Sequence, residues 1–165
     1  MKIKRIVKHL LVTDGQVRLA FPPNALHQIE WAIKASESTH VGEIRFVVEG
    51  ALDGSPLFSG QSARQRAIEL FSQLRVWDTQ HNTGVLIYLL LADRAVEIVA
   101  DRGIHAKVDA QAWSTVCRQM EADFRQSNFE AGVVAGVQAV TKHLAQHFPA
   151  GAHNRNELPD KPVVL

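Results

Sequence analysis

Four oxygen-bearing side chains stand where apolar stretches of the chain begin or end: Glu43, Asp78, Asn82 and Asp101. Carboxylates and an amide that converge suit a hard cation such as Ca2+ or Mg2+, which takes oxygen ligands. A cation held there would lower the pKa of a bound water and make hydrolysis available. A second reading of the same residues stays open: Glu43 and Asp101 pair with Arg102 and Arg45, and Asn82 caps a turn. Other candidates carry less. His143 and His147 share a helix face at a spacing zinc can use, but no third ligand is adjacent and no HExxH occurs. Asp93 and Arg94 read as a turn with a local ion pair. Cys117, the only cysteine, falls on an apolar helical stripe with Trp113 and Phe124, where thiols are usually inert. It excludes an internal disulfide and a CxxC-type zinc site, and no GxSxG elbow, P-loop or GxGxxG is present.

The oxygen donors converge only if the segments that carry them are strands of one sheet. Val85–Ala92 is an unbroken apolar run interrupted by Tyr88 alone, as in a strand covered on both faces. Val96, Ile98 and Ala100 then alternate with Glu97, Val99 and Asp101, a pattern nearer an edge, and the short break at Ala92-Asp93-Arg94 fits a hairpin. Glu43–Glu49, with Ile44, Phe46 and Val48 on one face, is the first strand. A helix between it and Val85 makes those two strands parallel. Glu43, Asp78, Asn82 and Asp101 are thereby expected at one end of the sheet, with Asp93 and Arg94 at the other. The first end lies opposite the usual crevice beyond the carboxyl ends of parallel strands, which counts against a nucleotide-style pocket.

The remaining elements are helical. Met1–Val12 places Ile3, Ile6, Val7, Leu10 and Leu11 on one face and Lys2, Lys4, Arg5, Lys8 and His9 on the other. The favoured reading packs its apolar face on the domain, and the sharper one sets it on anionic lipid. A helix from Pro23 to about Ser38 buries Leu26, Ile29 and Ile33, and 51–60 reads as a loop. Ser62 and Gln65 form a capping box for a helix carrying Ala63, Ala67, Leu70, Phe71 and Leu74. Asp109 caps the helix of Trp113, Val116, Met120 and Phe124, and Asn128 caps the last, where Gly132 and Gly136 allow close packing. The fold class expected is α/β, a three-layer α/β/α sandwich with a small mixed β-sheet. Residues 1–22 form an N-terminal amphipathic helix and lead-in, 23–149 the α/β/α domain, and 150–165 a loosely ordered C-terminal tail, with docking of its last apolar residues, Val163-Val164-Leu165, left open.

Composition bounds the partners. The 165 residues are 46% hydrophobic, and 18 Lys and Arg stand against 17 acids, a formal charge of +1. So even a balance lacks the basic field that nucleic acid needs. With no long apolar run after the basic start and no small-residue cleavage site, the expected compartment is the cytoplasm.

The chain resembles the TPM domain family. The matching residues are Gly42-Glu43-Ile44, Asn82-Thr83-Gly84-Val85-Leu86-Ile87, Ala92-Asp93-Arg94-Ala95-Val96-Glu97-Ile98, Gly103-Ile104, and Phe124-Arg125 with Phe129-Glu130-Ala131-Gly132, over roughly residues 24–148. The resemblance implies an α/β/α sandwich and a short form without the secretion signal and C-terminal membrane anchor many members carry. It also implies weak acid-phosphatase activity, divalent-metal binding, or a role in repair of membrane complexes. The family's glycine-aromatic-glycine-leucine-glutamate run is here Asp101-Arg102-Gly103-Ile104-His105, which replaces the glutamate by histidine. The expectation is therefore a cytoplasmic interaction or adaptor domain, peripheral to the inner membrane and associated with envelope maintenance. It would bind a protein partner, with Ca2+ or Mg2+ at the four oxygen donors, peripheral contact to anionic membrane through residues 1–12, no nucleic acid and no covalent cofactor. The alternative is a weak metal-dependent phosphomonoesterase.

Overall fold

A mixed four-stranded sheet organises the chain. The structure, a computed structural model, describes residues 2–152 and 154–165. Met1, where the expected N-terminal helix begins, and His153, in the expected tail, lie outside the described residues. The strands are β1 (Glu43–Glu49), β2 (Gly84–Leu90), β3 (Ala95–Ala100) and β4 (Val163–Val164), in spatial order β3-β2-β1-β4. β1 and β2 run parallel with Glu43 opposite Gly84, and β3 folds back antiparallel with Ala100 opposite Val85. Every residue of β1 and β2 is buried, as the apolar run of β2 requires, and in β1 this includes the charged Glu43, Arg45 and Glu49.

Helices cover both faces, giving the expected three layers. On one face Ile44, Phe46, Val48, Val85, Ile87 and Leu89 pack against α3 (Pro23–Ser36), α7 (Ala110–Arg125) and α8 (Phe129–His147). On the other, Val47, Leu86, Tyr88 and Leu90 pack against α5 (Ala63–Gln73), whose capping box is formed by Ser62 and Gln65. The glycines of α8 meet α7 closely: a Cβ on Gly136 would lie 2.4 Å from Met120 Sδ. Asn128 occupies the cap position of α8 but makes no side-chain cap bond.

Three short helices escape the periodic pattern: α2 (Asp14–Ala20), α4 (Gly54–Ser59) within the expected loop, and α6 (Arg102–His105). Each is too short for an apolar stripe to repeat. The open edge of β3 is blunted by side chains, since Glu121 accepts from Val96 N and Arg64 donates to Ile98 O.

Both chain ends differ from expectation. α1 (Lys2–Leu11) turns Arg5 and His9 inward instead of its apolar stripe, and leaves Lys2, Lys4 and Lys8 exposed. His9 is buried and Arg5 and Ile6 half-buried, whereas Ile3, Val7, Leu10 and Leu11 are exposed. The tail crosses the amino end of β1 as a strap where loose order was expected, and its last apolar residues dock as β4 on the free edge of β1. Glu43 accepts from the N–H groups of Glu157 and Leu158, Arg45 donates to the Pro159 carbonyl, and Asn154 donates to the carbonyls of Glu37 and His40. An unpaired sheet edge and a buried carboxylate together give this polar segment its partners.

Candidate functional site

The four expected oxygen donors do lie at one end of the sheet, yet each is turned to a different neighbour. Glu43 begins β1, opposite Gly84, and Asp101 N donates to Gly84 O across the next pair of strands. Between the two carboxylates stands a backbone carbonyl, because a Cβ on Gly84 would be 1.9 Å from Val76 O. Only glycine lets the Val76 turn rest on the sheet there. Glu43 spends both carboxylate oxygens on the strap. Burial pushes its carboxyl up to about 7, against those hydrogen bonds. Asp78 sits on the surface paired with Arg75 at 2.7 Å. Asn82 adopts a left-handed turn conformation (φ 54°), and its carbonyl accepts from Gly103 N. Asp101 Oδ1 accepts from Arg102 N to begin α6, while its Oδ2 is buried without a partner. Arg45 and Arg102 pair with neither carboxylate among the described residues. Nor does any group of three His, Cys, Asp or Glu among the described residues form an arrangement able to hold a metal ion.

The larger concavity is at the opposite end. A groove of about 1070 Å³ opens beyond the carboxyl ends of β1 and β2, walled by Leu11, Val12, Leu19, Leu91 and Phe129. Asp93, in the β2–β3 turn, stands on its rim. Its partner is not the neighbouring Arg94, as a local turn pair would require, but α1. Arg5 donates to it through Nε at 2.9 Å and pairs through Nη2 at 2.8 Å, and His9 Nε2 lies 3.0 Å from Oδ1. Leu52 N donates to His9 Nδ1 at 2.9 Å, so Nδ1 carries the lone pair and the Nε2–H of a neutral ring donates to Asp93. Burial raises the Asp93 carboxyl, but the hydrogen bonds from Arg5 and His9 outweigh it and hold the group below the usual aspartate range.

A second polar network lies beneath β1 and β2. Tyr88 Oη donates to Glu49 at 2.6 Å, and Arg66 grips the same carboxylate from α5. Tyr88, the one polar residue in the central apolar run, was its only trace in the sequence. The remaining candidates are quiet. Burial pushes the Cys117 thiol up to about 12, and His143 packs edge-on against Trp113.

A family model described as the TPM domain matches residues 19–143. Among solved structures, the chain is similar to the BA42 protein of the psychrophilic bacterium Bizionia argentinensis. The identity is 29% and the TM-score 0.76, over 86% of this chain and 93% of that one. It is also similar in fold to the N-terminal domain of a protein from P. gingivalis, at 22% identity and a TM-score of 0.62, over 81% of this chain and 83% of that one. The comparison with curated proteins gave no match. The family span begins inside α2, so Arg5 and His9 belong to a segment in front of it.

Proposed function

The chain belongs to the TPM domain family, and from that premise we propose that it is a non-catalytic interaction domain serving envelope or membrane-complex maintenance. Its partner is a protein whose extended apolar segment docks in the groove at the carboxyl ends of β1 and β2. One observation carries this reading: the carboxylate on the groove's rim, Asp93, is already saturated by Arg5 and His9. A hydrolase needs a free carboxylate, a metal-bound water or an activated nucleophile. The groove supplies instead a long apolar wall, at the upper end of the roughly 300–1,000 Å³ typical of small-molecule sites.

The test is selection of peptide ligands from a display library on the pure protein. Ala131→Arg, which fills the groove from the exposed start of α8, should abolish their binding, while the pure protein turns over no aryl phosphate with or without Mg2+. Ligands indifferent to Ala131→Arg, or a library that yields none, would overturn the docking reading.

A second reading places Ca2+ or Mg2+ at the amino end of the sheet, in a weak metal-dependent phosphomonoesterase. It is favoured by a single atom, the buried and unpartnered Oδ2 of Asp101. On this reading calcium raises the melting temperature and Asp101→Asn abolishes the rise. No response in calorimetry removes it.

A further inference from the structure

We infer that α1 and α2 form a docking face for an anionic membrane surface. Ordinarily an amphipathic helix buries its apolar side and leaves its charges in water. Here only Arg5, Ile6 and His9 turn inward, while most of the apolar stripe stays outside beside the lysines, and the cause is visible. Arg5 and His9 are drawn inward by Asp93, by the Gln61 carbonyl and by Leu52 N–H. Those contacts fix the rotation of the helix about its axis. Ile3, Val7, Leu10 and Leu11, spaced as one stripe, are thereby forced outward, with exposures from 48% at Val7 to 77% at Ile3. Leu19 of α2, which shares the groove wall with Leu11, is 84% exposed.

The charge around this stripe selects its occupant. Residues 1–20 hold five basic side chains and one acidic one, Asp14, and α1 itself has no acid. Arg5 is committed to Asp93, but among the described residues no carboxylate pairs with Lys2, Lys4 or Lys8. Lys4 and Lys8 follow the apolar stripe around the helix, where their ammonium groups can reach headgroup phosphates while the leucines enter the acyl boundary. A second copy of the chain fits poorly. The stripe is about 15 Å long and about 10 Å wide, well short of the roughly 800 Å² each partner gives to a stable dimer, and pairing would oppose lysine with lysine. A bilayer needs no shape complementarity and supplies the opposite charge. No described helix is long and apolar enough to cross a membrane, so the contact lies in the interface. Lys8, Leu11 and Leu19 also line the groove, but Ile3, Lys4, Val7 and Leu10 do not, so failure of the substitutions at Val7 and Leu10 leaves the interaction reading intact.

The test is co-sedimentation of the full chain with vesicles of phosphatidylglycerol and phosphatidylcholine in equal parts, beside vesicles of phosphatidylcholine alone. Binding is expected to the first only, and to fade as salt shortens the Debye length from about 30 Å to about 8 Å. Each lysine near an anionic surface is worth about a fivefold change in partition, so Lys4→Gln with Lys8→Gln should weaken binding by about 25-fold. Val7→Asn with Leu10→Asn should abolish it while leaving the melting temperature unchanged, since both side chains already face solvent. Absence of binding, equal binding to the neutral vesicles, binding indifferent to these substitutions, or a dimer in light scattering that Leu10→Asn dissolves would each overturn the inference.

Discussion

Replacing Asp93 by alanine asks whether polar contacts alone hold α1 on the domain. The carboxylate accepts from Arg5 Nε and Nη2 and from His9 Nε2. The His9 side chain has no solvent exposure, so an orphaned N–H there costs about 1–3 kcal/mol. Arg5 is one-quarter exposed and keeps its bond to the Gln61 carbonyl. Water can take over its remaining donors, and loss of the pair adds about 1 kcal/mol after screening. The sum is about 2–4 kcal/mol, equivalent to about 30- to 700-fold in the opening equilibrium of α1 at 1.4 kcal/mol per decade. Amide hydrogen exchange near neutral pH reads that equilibrium directly. Protection across the second half of α1 should fall by the stated factor, and tryptic cleavage after Lys8 should accelerate alongside it. Amides of β2 should keep wild-type protection, since α1 opens without the sheet. Unchanged protection of α1 in Asp93→Ala would refute the reasoning, because Ile6 would then be sufficient to hold the helix. The pH dependence has a definite sign. With its carboxyl below the ordinary value of 3.8, Asp93 contributes stability above that pH and loses it as pH falls through the lowered folded value.

Glu43 has the opposite sign. Burial pushes its carboxyl up to about 7 from 4.5, so stability falls as pH rises between those values, by at most about 3 kcal/mol. In urea melts at about pH 5 and about pH 8, Glu43→Gln should remove this part of the slope. Glu37, pushed up to about 8 chiefly by burial beside Asp160, adds a further fall, and burial of His40 and His143, which lowers both, acts in the opposite direction. Gly84→Ala sets a Cβ 1.9 Å from the Val76 carbonyl and should cost about 3 kcal/mol or more in thermal unfolding. Gly136→Ala meets the flexible Met120 side chain first and should cost less than about 1.5 kcal/mol. Tyr88→Phe leaves Glu49 without its buried hydroxyl donor and should lower stability by about 1–3 kcal/mol in the same melts.

The sheet was legible because its signals are local. Ile44, Phe46 and Val48 alternate, Val85–Leu90 runs apolar without a break, and Asp93-Arg94 leaves no room for anything but a tight return. Register followed, since a one-residue slip would turn each apolar set away from its helices. Ser62 with Gln65 and the α8 glycines were legible for the same reason, each acting over a few residues or one helix turn. The candidate site was legible only as an address. The sequence brought Glu43, Asp78, Asn82 and Asp101 to one end of the sheet, but could not say that the Val76 carbonyl would rest on Gly84 between two of them. Nor did anything near Asp93 reveal that its partners lie 84 and 88 positions away in α1.

Periodicity of apolar residues thus determined which segments are helices and strands and which strand faces are covered. Tertiary structure decided the rest: which side of α1 turns inward, what the tail strap binds, and where the groove opens. The division has a physical cause. Hydrophobic burial is non-directional, and its pattern is written within a few residues of chain. A buried carboxylate, imidazole or backbone N–H must find a directed partner wherever the fold supplies one. In α1 the partners of Arg5 and His9 prevailed over its apolar stripe.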